Sequence, residues 1–69
     1  MDEYRDCKGH LVCMADAATG QVEIQYRDRT VQMTVPVGES IVVKLRDTVT
    51  TITRNNQETF HVESHARAA

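Results

Sequence analysis

The most constraining feature of this chain is an alternation of apolar and polar residues between residues 16 and 35, DAATGQVEIQYRDRTVQMTV. Side chains in a β-strand point to opposite faces in turn, so this period of two places the apolar residues on one face of a sheet. No stretch of a dozen residues has the spacing of three and four that predicts a helix. The pattern therefore predicts an all-β protein with one apolar sheet face and no helix to cover it.

Turn signals set the register of the first hairpins. In DAATG, Asp16 can accept a hydrogen bond from the backbone two residues on, and Gly20 can adopt a positive φ. A four-residue loop, 17–20, places Ala15 opposite Val22, and a loop at residues 28–29 places Ile24 opposite Met33. Both hairpins then carry their apolar residues on the same face. A slip of one residue would move every side chain to the other face, so this agreement favours the register.

The same argument continues along the chain. A loop at 38–40 would pair Val35 with Val43, RDT at 46–48 is a further turn, and a loop at 55–57 would place Ile52 opposite Phe60. The predicted fold is an antiparallel meander of five to six short strands, curled into a small barrel or packed as a dimeric sandwich. Residues 1–9 are predicted to be an N-terminal arm or a short hairpin, residues 10–63 the β-meander domain, and residues 64–69 a frayed C-terminal tail.

The register also predicts which side chains form the core. Ile24 lies at the centre of the apolar face and is expected to be fully buried, while Gln25 points away from it. Val12 and Met14 are exceptions, because both are apolar but fall on the polar face. The predicted core consists of Leu11, Cys13, Ile24, Tyr26, Met33, Val35, Val43, Leu45, Ile52, Phe60 and Val62.

Composition limits the classes of protein to consider. A chain of 69 residues is one domain with a thin core. Its net charge of −2 gives no basic surface for duplex DNA or an anionic membrane. The start of the chain is polar and acidic, unlike a signal peptide, and no apolar run is long enough to span a bilayer. A cytoplasmic location is therefore expected, in which Cys7 and Cys13 would be free thiols, although a bridge between them and metal binding are the alternatives.

The only metal signal is Cys7-Lys-Gly-His10, which has the spacing of half a zinc site. A complete site needs a second pair, and the next turn offers Tyr26 and Arg29, neither of which is a ligand in such sites. Cys7 and His10 are thus weak zinc candidates, and no metal or other cofactor is predicted. No catalytic residue is predicted either, because Cys13 falls on the apolar face, where a thiol is inert. The chain is not expected to be an enzyme.

Besides a zinc-binding module that would use Cys7 and His10, two hypotheses for function remain. The first is a non-enzymatic module that binds protein, including a second copy of itself, because the apolar face lacks a cover and a meander has open edges. The alternative is binding of single-stranded nucleic acid by Arg27, Arg29 and Arg46, which fall near turns. That alternative lacks exposed aromatic side chains on which bases could stack, since Tyr26 and Phe60 are assigned to the core.

Overall fold

The computed structural model describes residues 1–26 and 28–67, and in this part of the chain it contains seven antiparallel strands and no helix. The all-β meander is confirmed, although the strands number seven rather than five or six and the barrel is not closed. No helix of the described residues has the length and apolar character needed to cross a membrane. The strands are β1 (Asp2–Arg5), β2 (Leu11–Asp16), β3 (Gln21–Tyr26), β4 (Arg29–Thr34), β5 (Ser40–Lys44), β6 (Thr48–Arg54) and β7 (Phe60–Ala66).

The strands form two sheets, each built from consecutive segments. Sheet A has the order β1-β2-β3-β4 and sheet B the order β5-β6-β7. The predicted pairing of Val35 with Val43 is therefore wrong, because β4 and β5 lie in different sheets. Pro36 has no N–H to donate to a ladder, and Gly38 has a φ of 89° that redirects the chain. The Gly38 N–H donates to the carbonyl oxygen of Arg54, which ties this connection to sheet B.

The core lies between the two sheets, so the chain itself supplies the second layer that covers the apolar face. Ile52, at the middle of β6, is 0% exposed. Ile24 is only partly buried and packs against the core, so the prediction of its full burial is wrong. The buried apolar residues are Val12, Cys13, Ala15, Ala17, Val22, Val35, Val43, Ile52 and Phe60.

Three further core predictions are corrected. Leu11 is 43% exposed and Tyr26 is 57% exposed. Tyr26 lies at the end of β3, beside the β3–β4 turn, and Leu11 is turned outward with its partner Arg5 by the bulge in β2. Val12 is buried rather than outward-facing, because β2 contains a β-bulge: Tyr4 pairs with Cys13 and Arg5 with Leu11, so Val12 is the extra residue.

The register of the first loop is confirmed, with Asp16 opposite Gln21 and Ala15 opposite Val22. The loops predicted at 28–29 and 55–57 are wrong, because each shifts the partner of a given residue by two positions along the opposite strand. Ile24 pairs with Val31 rather than Met33, and Ile52 pairs with Val62 rather than Phe60. Because the side-chain period is two, a shift of two keeps the predicted faces.

Both ends of the chain form strands. Of the two N-terminal alternatives, the structure has the short hairpin, since β1 pairs with β2. Strand β7 continues to Ala66, so residues 64–66 pair with β6 rather than belonging to a frayed tail.

Candidate interaction surface

A buried arginine holds one end of the two sheets together. Arg54 is 7% exposed, and its guanidinium donates to three backbone carbonyls: Nε to Ala17, Nη1 to Val35 and Nη2 to Ala18, each at 3.1 Å. These carbonyls belong to the β2–β3 turn and to the residue that follows β4, so the arginine joins sheet B to sheet A. Gly20 is required beside it, because its φ is 79° and a Cβ would collide with the Arg54 guanidinium.

A buried carboxylate holds the opposite end. The Asp6 side chain accepts hydrogen bonds from the Thr48 hydroxyl at 2.7 Å, the His10 N–H at 2.8 Å and the Lys8 N–H at 2.9 Å. The bond from Thr48 contributes most to lowering the pKa of Asp6, and the backbone donors add to it against the opposing effect of burial. Asp6 thereby shapes the β1–β2 turn and attaches it to the start of β6.

Neither group was predicted from the sequence, in which Asp6 falls within the segment 1–9 predicted to be an arm or a short hairpin. An Asp three residues before a glycine, as in Asp6 and Gly9, is a turn signal that could have identified Asp6. No sequence signal distinguishes Arg54 from an exposed arginine.

On the side of the sandwich formed by β1 and β7, side-chain contacts join the two sheets. The Tyr4 ring lies edge-on to the Phe60 ring, with centroids 5.8 Å apart. The Cys7 N–H donates to the Ser64 hydroxyl at 3.0 Å. These two strands also carry charged or ionisable side chains along their edges: Asp2, Glu3, Arg5, His61, Glu63 and His65. Such groups protect a sheet edge from pairing with another chain.

The opposite side, formed by the edge strands β4 and β5 and called here the β4–β5 side, lacks both features. Residues 30–34 and 40–43 carry no charged side chain. Val31, which points toward the core layer, is 46% exposed, and Met33, Ile41 and Leu45 are only partly buried. Sheet A has four strands and sheet B three, so β4 is the strand with the least cover.

The backbone groups on this side also face outward. The Val35 N–H donates to the Gly20 carbonyl, and hydrogen-bonded pairs alternate along an antiparallel ladder. In β4, Arg29, Val31 and Met33 therefore bond to β3, and Thr30, Gln32 and Thr34 direct their N–H and C=O groups away from it. Within the described residues, β4 pairs only with β3.

Strand β5 has the same arrangement. The Leu45 N–H donates to the Thr48 carbonyl, and the Arg54 N–H donates to the Glu39 carbonyl. Odd-numbered residues of β5 therefore bond to β6, and Ser40, Val42 and Lys44 direct their backbone groups outward.

The predicted zinc candidates lie in the β1–β2 turn. Cys7 is an exposed free thiol, and the Nδ1 of His10 lies 3.4 Å from an Asp6 carboxylate oxygen. Across residues 1–26 and 28–67, no group of three or more His, Cys, Asp or Glu side chains is arranged to hold a metal ion. Cys13 is a buried free thiol, and burial raises its pKa to about 11, which confirms its predicted place in the core.

Of the three predicted nucleic-acid residues, Arg27 lies outside the described residues. Arg29 begins β4, and Arg46 lies in the β5–β6 turn, and both are exposed. Because neighbouring strands alternate in direction, Arg29 and Arg46 lie at the same end of the sandwich as Asp6. No hydrogen bond or ion pair found in the described residues joins Arg29 to Arg46. Arg54 is buried and unavailable to a ligand.

Comparison with protein-family models, with curated proteins and with solved structures finds no match to this chain.

Proposed function

We propose that this chain is a non-enzymatic protein-interaction module that assembles with other copies through the β4–β5 side. The observation that carries the proposal is a pair of edge strands with uncharged centres, flanking apolar side chains that the chain's own layers leave partly uncovered. Unpaired strand edges and exposed apolar side chains are both stabilised by a protein partner.

The distribution of charge supports this choice of surface. Ionisable side chains lie along β1 and β7, while the centres of β4 and β5 have none. A domain that avoided association altogether would be expected to protect both sides. The contrast between the sides is therefore the pattern expected of one selected contact surface.

The remaining chemistry of the chain supports a non-enzymatic role. The buried Cys13 thiol has a pKa of about 11 and is a poor nucleophile. A concavity of about 500 Å³ is lined by Val37, Asn56, Gln57 and Glu58. The Asn56 side-chain oxygen already accepts hydrogen bonds from the N–H groups of Glu58 and Thr59, so it stabilises its own turn rather than facing a substrate. Two free thiols also fit a reducing, cytoplasmic location.

Sedimentation equilibrium at micromolar concentration tests the proposal. The wild-type chain should have a mass above that of the 7.8 kDa monomer. Val31→Lys should sediment as a monomer, because it places a charge in the contact surface. Leu11→Lys is the matched control, since Leu11 is a similarly exposed apolar residue on the central strand β2 and its variant should associate as the wild type does. A wild-type chain that stays monomeric would refute self-assembly.

One observation favours the nucleic-acid alternative. Tyr26 is 57% exposed and pairs with Arg29 across the β3–β4 hairpin, so an aromatic ring is present at the end of the molecule that carries Arg46. Asp28 and Asp47 occupy the same turns and oppose a phosphate backbone. Fluorescence anisotropy with a mixed single-stranded oligonucleotide at low salt tests this alternative: binding that weakens steeply with salt and is lost in Tyr26→Ala would support it.

A further inference from the structure

We infer that the partner is a second copy of this chain, related by a two-fold axis parallel to the strands, with β4 of each copy pairing with β5 of the other. The inference rests on the proposed function and specifies the geometry of its contact surface. The result is one closed dimer containing two continuous seven-stranded sheets.

The unequal number of strands in the two sheets is the first argument. Four strands packed on three leave β4 overhanging on the β4–β5 side. A rotation of 180° about an axis along the strands places sheet A of one copy beside sheet B of the other. Each layer then contains four strands plus three, so the layers match in width. The overhanging β4 strands lie over one another, and the exposed Val31 of each copy gains an apolar cover.

The direction of the strands permits this pairing. Tyr4 on β1 contacts Phe60 on β7, and Cys7, which follows β1, contacts Ser64 further along β7. Both contacts occur in the same order along the two segments, so β1 and β7 run in the same direction. Since neighbouring strands alternate in each sheet, β4 runs opposite to β5. A two-fold axis along the strands leaves these directions unchanged. The pairing of β4 with the partner's β5 is consequently antiparallel, like every other pairing in the described chain.

The hydrogen-bonding phase and the strand lengths select a register. The outward backbone groups belong to Thr30, Gln32 and Thr34 on β4, and to Ser40, Val42 and Lys44 on β5. Pairing Gln32 with the partner's Val42 brings all these groups into ladder positions and aligns the six residues 29–34 with the six residues 40–45.

The side chains in this register are complementary. On the inward face, Val31 lies opposite the partner's Val43, and Met33 lies opposite the partner's Ile41. Beyond the strand ends, the acidic Asp28 lies opposite the basic Arg46 of the partner. No position places like charges directly opposite each other, an arrangement that would be destabilising.

Disulfide trapping tests this geometry. The Cys7→Ser background removes the exposed thiol, and Gln32→Cys and Val42→Cys are introduced on separate chains. A directly opposed pair has a Cα separation within disulfide range. Under mild oxidation, mixed chains should give a covalent heterodimer, and each variant alone should remain uncrosslinked. Sedimentation equilibrium of the reduced chains should give twice the 7.8 kDa monomer mass and no larger species.

The alternative results are distinguishable. Self-crosslinking of Gln32→Cys alone would show β4 paired with β4 and overturn the inferred geometry, as would a dimer without mixed crosslinks or a series of larger oligomers. In each of these cases self-assembly itself would stand. A wild-type chain that is monomeric in solution would refute both the geometry and the proposed function.

Discussion

Replacement of Arg54 provides the sharpest test of how the two sheets are joined. Arg54→Met keeps much of the side-chain volume but removes three donors, leaving the Ala17 and Val35 carbonyls without their charged partner in buried surroundings. A hydrogen bond from a charged group contributes about 1.5–3 kcal/mol, and such contributions are not additive. Removing the charge also relieves its desolvation cost. We therefore expect a loss of roughly 3–5 kcal/mol from the free energy of unfolding.

That loss is large for a chain of this size, because 69 residues correspond to roughly 3–10 kcal/mol of total stability. Arg54→Met should thus be partly or fully unfolded at 37 °C. Arg54→Lys keeps the charge but has no planar fork to reach three carbonyls, so its stability should lie between those of Arg54→Met and the wild type.

Urea denaturation at one fixed protein concentration measures these differences, since self-association would make the midpoint depend on concentration. Arg5→Met is the matched control: Arg5 also donates to a carbonyl, that of Gly9 at 2.9 Å, but it is exposed. The control should change stability by no more than about 0.5 kcal/mol. Equal effects of Arg54→Met and Arg5→Met would refute the role assigned to the buried guanidinium.

The remaining predictions concern the core, the opposite end of the sandwich and the thiols. Ile52→Ala should cost about 2–5 kcal/mol and Ile24→Ala clearly less, because only Ile52 is fully buried; thermal melts that rank them in reverse would contradict the packing described. The depressed pKa of Asp6 means that its contribution is present above the ordinary value of 3.8 and is lost as pH falls through the lower folded value. Thr48→Val should therefore lose less stability than the wild type as the pH falls below 3.8, as measured by circular dichroism. An unchanged dependence of stability on pH would contradict the role of the Thr48–Asp6 hydrogen bond. A chromogenic disulfide reagent should react with one thiol in the native protein, and with none in Cys7→Ser, because Cys13 is buried with a pKa of about 11.

The face of most side chains could be predicted from the sequence, because the period of two survives errors of two residues in loop length. The loop beginning after Asp16 was placed correctly since its glycine has to adopt a positive φ. The loops at 28–29 and 55–57 contain no glycine, and without that constraint their lengths could not be fixed. Pro36 has no N–H to donate to a ladder, but that property does not determine whether the chain returns to the same sheet or crosses to another.

The kind of contact surface could be predicted from the sequence, but its position could not. An uncovered apolar face and open edges were expected, but their position depends on which strand the second sheet fails to cover. That is a tertiary property, and it explains why Tyr26 and Val31 are exposed although their alternation matches that of Val22, while Leu11 is exposed because of the bulge in β2. The burial of Arg54 likewise depends on carbonyls 19 and 37 residues away.

The separation of the sheets along the chain has a consequence for folding. All strands of sheet A precede residue 35 and all strands of sheet B follow residue 39, so every pairing within a sheet forms between neighbours in sequence and can be made quickly. Neither half can hide its apolar face alone, however, and each gains its stability only on docking. Both halves should therefore exchange their most protected amide protons by the same global opening, and the chain should unfold as a single cooperative unit.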